Sequence, residues 1–298
     1  MNPPAGGDAG LRLRILAAYA TIYLVWGSTF LVIRLGVRSL PPMLFTGGRF
    51  LFAGALLAAV AAIRRERFPG SRLEWRYVVA FSVLMITSSS GLTTIALGHL
   101  PSNEGALLSA GSALWIAWLG SLGPKGHDLT LRGTLGLLLG FVGVTLLVWP
   151  RSATMPGHFG WQSLVLVGSL SWAVGTVLYR DAALPVGPVA LNAVMMLLGG
   201  TWLLLGGAAA GELPEWRWQA GGLAAMAYLA VFGSALAYTA YTWLLGHSPA
   251  DRVGTFAYVN PAIAAVLGWA VLGESLEPMQ VAGMLVVLAG VALVTLRS

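Results

Sequence analysis

Leu97-Gly98-His99-Leu100-Pro101 and Leu245-Gly246-His247-Ser248-Pro249 are two versions of one junction, 148 positions apart. Each lies between a polar-aromatic apolar segment and one rich in small residues. Moving outward at nearly the same offset, Trp26 and Arg34 match Trp172 and Arg180, and Pro42 matches Pro188. Gly133 and Gly140 likewise match Gly283 and Gly290. Leu and Gly are abundant here, so no single match carries weight. The shared order and near-constant spacing show a duplicated chain.

Each copy contains five apolar stretches, approximately 14–36, 42–62, 76–97, 102–122 and 131–149 in the first, and 160–179, 186–207, 217–243, 249–272 and 278–296 in the second. A helix needs roughly 20 apolar residues to cross a bilayer. Composition agrees: 57% of the 298 residues are apolar and 9% are charged, against about 25% charged in a soluble domain. The runs are unbroken rather than alternating, which argues against a lipid-facing barrel. The sequence therefore predicts an all-α polytopic membrane protein. An odd number of spans per copy makes the second copy enter from the opposite side, so ten transmembrane helices are expected as two inverted five-helix repeats around a central cavity. The expected boundaries are a disordered cytoplasmic tail over 1–13, a first repeat of helices 1–5 over 14–149 and a second repeat of helices 6–10 over 160–296.

The net charge of +6 does not form the basic face that nucleic acid requires. Arg64, Arg65, Arg67, Arg72 and Arg76 make the main cluster, interrupted by Glu66 and Glu74. Beside an apolar span it reads as a cytoplasmic topogenic signal. With both termini cytoplasmic, twelve basic residues fall inside and four outside. No enzyme is expected. The chain has no cysteine, no His-Glu-X-X-His zinc motif and no Gly-X-Ser-Gly nucleophile.

Polar groups within a span face protein or water, because lipid exposure is expensive. Arg49 sits in mid-span within Phe45-Thr46-Gly47-Gly48-Arg49-Phe50, where it can hold a substrate carboxylate or anchor a helix end. The run from Thr87 to Thr94 offers Ser89, Ser90 and Thr94 as wall residues, although hydroxyls also satisfy helix carbonyls. Trp26, Trp115, Trp172, Tyr238 and Tyr241 are candidates for an aromatic wall; belting at the membrane interface is the alternative use of such residues. Tyr258 and Asn260 are further candidate contacts, and Pro261 is the candidate hinge. Gly136, Gly140 and Gly143, with Gly283 and Gly290, form smooth strips suited to helix packing. His99 and His247 read better as boundary residues than as proton carriers. Glu104 and Asp251, near helix starts, leave ion coupling open.

Trp26-Gly27-Ser28-Thr29-Phe30, Arg49, and the run Ala257-Tyr258-Val259-Asn260-Pro261 through Leu272-Gly273-Glu274 resemble the EamA-type members of the drug/metabolite transporter superfamily. The resemblance covers nearly the whole chain and implies a ten-helix exporter with helices five and ten at the periphery. Glu274 matches the family's Gly-Glu element, whereas Gly123-Pro124-Lys125-Gly126 stands at the equivalent place in the first half. The (aromatic) amino-acid exporter subgroup is similar in size and aromatic content. It implies a secondary transporter exporting neutral amino acids, aromatic ones included, by alternating access. Export of drugs, organic cations or other small metabolites is the alternative. The expected setting is a bacterial inner (plasma) membrane, with lipids and a small-molecule substrate as partners, no cofactor, and a monomer or weak homodimer.

Overall fold

A backbone N–H or C=O left unpaired in hydrocarbon costs several kcal/mol, so a chain this apolar must close its hydrogen bonds within helices. The computed structural model describes residues 6–122, 130–148, 158–248, 253–275 and 278–295, and among them regular structure is helical throughout. The first half holds α1 (Gly6–Gly36), α2 (Pro42–Ile63), α3 (Arg72–Leu97), α4 (Ser102–Ser109), α5 (Ser112–Gly120) and α6 (Leu131–Val148). The second holds α7 (His158–Ala182), α8 (Pro188–Ala209), α9 (Ala220–Leu245), α10 (Phe256–Leu272) and α11 (Pro278–Thr295). Among the described residues six helices are long and apolar enough to span a membrane: those over Gly10–Gly36, Pro42–Ile63, Arg72–Leu97, Phe159–Ala182, Pro188–Ala209 and Ala220–Leu245. Shorter apolar helices complete the array.

Two features differ from the sequence expectation. The tail expected over 1–13 is already helical from Gly6, because Leu11–Arg14 are good helix formers and extending a nucleated helix is cheap; residues 1–5 lie outside the described part. The fourth span is two helices, α4 and α5, joined by a tightened turn. There the amides of Gly111 and Ala113 bond to the carbonyls of Leu108 and Ala110, three residues back.

The packing of one half is repeated by the other. α2 lies along α8, and α6 along α11. The contact of α1 with α10 has its counterpart in α7 with α4 and α5. The contacts of α1 and α2 with α9 are matched by those of α7 and α8 with α3. At the α2–α8 seam the match reaches individual atoms. A Cβ on Gly54 would lie 2.9 Å from the Leu197 amide nitrogen and 3.0 Å from the Ala193 oxygen; one on Gly200 would lie 2.9 Å from the Leu51 nitrogen and the Gly47 oxygen. Only glycine permits this approach. The strips on α6 and α11 also face each other, since a Gly290 Cβ would lie 2.7 Å from the Gly136 oxygen and a Gly143 Cβ 3.0 Å from the Gly283 oxygen.

Both ends of the α2–α8 seam carry a carboxylate tie. After α2, Arg65 adopts a left-handed conformation (φ 54°) and Glu66 follows. The Glu66 carboxylate accepts from the amides of Val189 and Ala190 at 2.9 and 3.0 Å, in the first turn of α8. After α8, Gly211 (φ 84°) precedes Glu212, which accepts from Met43 and Leu44 in the first turn of α2, at 3.0 and 2.9 Å. Donors and acceptors map onto each other at an offset of 146. The first amides of a helix have no internal partner and sit at the positive end of its dipole, so a carboxylate there satisfies both. A third tie joins α10 to α4. Gly273 (φ 65°) precedes Glu274, whose carboxylate accepts from the Ser102 and Asn103 amides at 2.9 and 3.2 Å and from the Ser102 hydroxyl at 2.6 Å. The first-half counterpart, Gly123–Gly126, lies outside the described residues.

Candidate functional site

Inside this array the long helices leave a cavity of about 780 Å³, its open mouth included. Both halves contribute to its wall. α1 supplies Trp26, Thr29, Phe30 and Ile33, one face of a helix at successive turns. α2 supplies Arg49, and α3 supplies Ser89, Ser90 and Thr93. Ser109 ends α4 and Ser112 begins α5. From the second half come Ser169 and Trp172 on α7, Gly233 and Tyr238 on α9, and Phe256 and Asn260 on α10.

Local backbone chemistry positions several of these groups. α3 and α9 each contain a π-helical stretch, Ser82–Ser90 and Leu229–Leu236, at equivalent places in the two halves. Such wide turns displace side chains from the ordinary helical register and recur at functional sites. In the first, the Thr87 hydroxyl donates to the Ser82 carbonyl five residues back. In the second, the Gly233 carbonyl turns outward and accepts from the Trp26 indole at 3.0 Å. That bond locks the α1 indole to α9 and leaves its ring as one side of an aromatic cluster. Trp26 meets Trp172, Tyr238, Tyr241 and Phe256 at centroid distances of 5.2–5.7 Å, mostly edge to face, the arrangement aromatic quadrupoles favour.

The rest of the wall is largely polar. Its charged member is Arg49, 6% exposed. The guanidinium carbon stands 4.5 Å over the Phe50 ring, and the Nε–H has no hydrogen-bond partner. Asn260 is also buried, and its side-chain oxygen has no partner. A buried unpaired polar atom costs free energy that a bound ligand can return. The described residues hold no cluster of His, Cys, Asp or Glu suited to a metal ion.

The cavity brings together Trp26, Arg49, Ser89, Ser90, Trp172, Tyr238 and Asn260, seven of the residues singled out from sequence. Three others stand apart from its lining. Thr94 is buried and donates to the Ser90 carbonyl at 2.8 Å. Tyr241 packs behind Trp26, and its hydroxyl lies 3.4 Å from that of Thr176. Trp115 packs on Phe141 and Trp118 at the α5–α6 contact. The Tyr258 side chain lies outside the described residues. Pro261 is buried within a continuous α10, one residue beyond Asn260. Sequence reasoning missed Thr29, Thr93, Ser109, Ser112 and Ser169 as wall residues. Each serine or threonine is unremarkable alone, and the shared feature is their convergence in space.

The remaining candidates have local roles. His99 stacks on Trp161 at 3.8 Å and His247 on Trp243 at 4.0 Å, both exposed at helix ends. Glu104 is buried and accepts from the Gln162 amide. Asp251 lies outside the described residues.

Residues 14–149 and 160–296 each match the EamA-like transporter family. The uncharacterized inner membrane transporter YedA of Escherichia coli strain K12 is 34% identical over 286 residues, covering 95% of this chain and 91% of the relative. The uncharacterized transporter YvbV of Bacillus subtilis strain 168 is 27% identical over 299 residues, covering 96% and 92%. A solved crystal structure shares the fold with a TM-score of 0.68 at 18% identity, covering 94% of this chain and 95% of its own.

Proposed function

The chain belongs to the EamA-like transporter family, and we propose that it is a secondary transporter exporting amino acids, aromatic and other neutral ones among them, by alternating access. The coarser part of this reading, a multi-pass inner-membrane transporter of small molecules, rests on the family, its relatives and the apolar helices. The finer part rests on one observation: a cavity walled by both halves joins a guanidinium with an unpaired Nε–H to a cluster of indole and phenol rings.

An amino acid entering that cavity presents its carboxylate to Arg49 in a charge-assisted, fork-shaped contact. Its side chain lies against Trp26, Trp172 and Phe256, and the serine and threonine hydroxyls solvate the rest. Two inverted five-helix repeats, ten spans in all, can exchange conformations and carry the site from one membrane face to the other. In this reading both termini are cytoplasmic, the Glu66 tie lies on the cytoplasmic side, and the Glu212 and Glu274 ties lie on the outer side. Trp26, Arg49, Ser89, Ser90, Trp172, Tyr238 and Asn260 form the binding wall, Pro261 is the hinge, and Tyr241 supports Trp26 from behind.

Organic cations are the competing cargo, since an aromatic cage attracts them. The positive charge of Arg49 in the same wall opposes that reading. The test is uptake of radiolabelled phenylalanine, leucine, lysine and glutamate by liposomes containing the purified protein, with pH and membrane potential varied. Neutral amino acids are expected to exchange, and Arg49→Ala to lower exchange at least about tenfold through loss of a charge-assisted contact. Full activity in that variant would remove Arg49 from the site.

A further inference from the structure

The charges around the cavity restrict what the cargo must carry, on the premise that cargo passes through this cavity. A zwitterionic amino acid brings a carboxylate and an ammonium. Arg49 can receive the first: it is buried, its Nε–H is unpaired, and its described contact is the Phe50 ring. An ammonium would be paired most strongly by a carboxylate, and none of the described carboxylates lines the cavity; most are engaged elsewhere. Glu66, Glu212 and Glu274 cap the starts of α8, α2 and α4. Glu74 holds Arg67, and Asp181 holds Arg180. Glu104 accepts from Gln162, outside the lining. What the wall offers a donor is neutral: the unpaired side-chain oxygen of Asn260 and several hydroxyls.

Neutral oxygens accept from an ammonium, an amide N–H or a hydroxyl alike. The Arg49 charge attracts an anion and repels a cation. We propose that the site selects organic carboxylates carrying a bulky apolar body and a single hydrogen-bond donor next to the carboxylate. The ammonium is dispensable, so N-acylated amino acids and 2-hydroxy acids are cargo alongside amino acids. Amines lacking the carboxylate are rejected. This deepens the amino-acid reading: the cavity recognises the acid and tolerates the amine.

The experiment is direct uptake into liposomes containing the full-length protein, corrected by protein-free liposomes. Four labelled compounds are compared: L-phenylalanine, N-acetyl-L-phenylalanine, L-phenyllactate and L-phenylalaninamide. The three acids are expected to enter within about threefold of one another, and the amide at least about tenfold more slowly, the discrimination expected of one lost charged contact. Arg49→Lys keeps the preference for acids, whereas Arg49→Ala erases it. Ligand-induced thermal shifts of the detergent-solubilised variants read binding apart from turnover. Uptake of phenylalanine alone would overturn the inference while leaving amino-acid transport standing, as would equal uptake of the amide. Uptake of the two amine-free acids without phenylalanine would support the inference and overturn the amino-acid reading. Failure of all four to bind or enter would overturn both.

Discussion

The α2–α8 seam and the α4–α10 contact differ in how the two halves are tied. At the first, glycines bring backbone against backbone, and carboxylates bind the helix starts at both ends: Glu66 on α8 and Glu212 on α2. At the second, Glu274 is the one carboxylate that ties a helix start among the described residues. A seam pinned at both ends with no space between backbones resists sliding. One held by a single tie among the described residues can swing about it. A repeat protein can in this way keep its two-fold plan while one pair of helices serves as an axis and another as a gate. The charge of the cavity is asymmetric too, since Arg49 occupies the place taken by buried Met195 in the other half.

The largest effect is expected from forcing the α2–α8 seam apart. Gly200→Leu places side-chain atoms against the Gly47 carbonyl and Leu51 amide, and is expected to cost about 3 kcal/mol, the upper end for overpacking. Loss of the monodisperse peak on gel filtration reads this out. Gly221→Leu, where a Cβ meets nothing within 4 Å, is the control and should leave that peak intact.

Removing a tie has a smaller effect. Glu212→Ala and Glu66→Ala each strip two helix-start amides of a charged acceptor and should each lower stability by about 1–3 kcal/mol. The two sites lie at opposite ends of the seam, so their effects should add. Thermal melts followed by tryptophan fluorescence check both points. A double variant no less stable than either single one would show that the ties do not act separately. Glu274→Ala should lower the melting temperature by no more than these and change the exchange rate more than they do. If it left exchange untouched while Glu66→Ala slowed it, the assignment of axis and gate would be reversed. The smallest effect is expected from Tyr241→Phe, which removes one long hydroxyl contact behind the wall. Its stability cost should stay near 1 kcal/mol or below, with phenylalanine exchange unchanged.

Much of the plan was legible because it rests on run lengths and parity. Hydrocarbon demands unbroken apolar helices, and an odd number per repeat implies inversion. The glycine strips on α6 and α11 were legible as packing surfaces because small residues at helical spacing have few other uses. The wall was legible where a residue type is costly in a membrane, as with Arg49 and Asn260. The ties were not. Glu66 and Glu212 read as ordinary loop acids, and their partners lie 123 and 168 residues away or more. The π-helical stretches also left no periodicity to read, although they set which faces of α3 and α9 reach the cavity. Trp115 shows the opposite error: its residue type suited a wall, but its helical face turns toward Phe141.

Because the chain has no native cysteine, one cysteine placed at Ser112 in the cavity wall reports which membrane face the site meets. A membrane-impermeant thiol reagent is applied from either side of oriented vesicles, with and without phenylalanine. Alternating access predicts labelling from both faces, protection by phenylalanine, and loss of that protection in Arg49→Ala. Labelling from one face alone, unaffected by phenylalanine, would contradict the account.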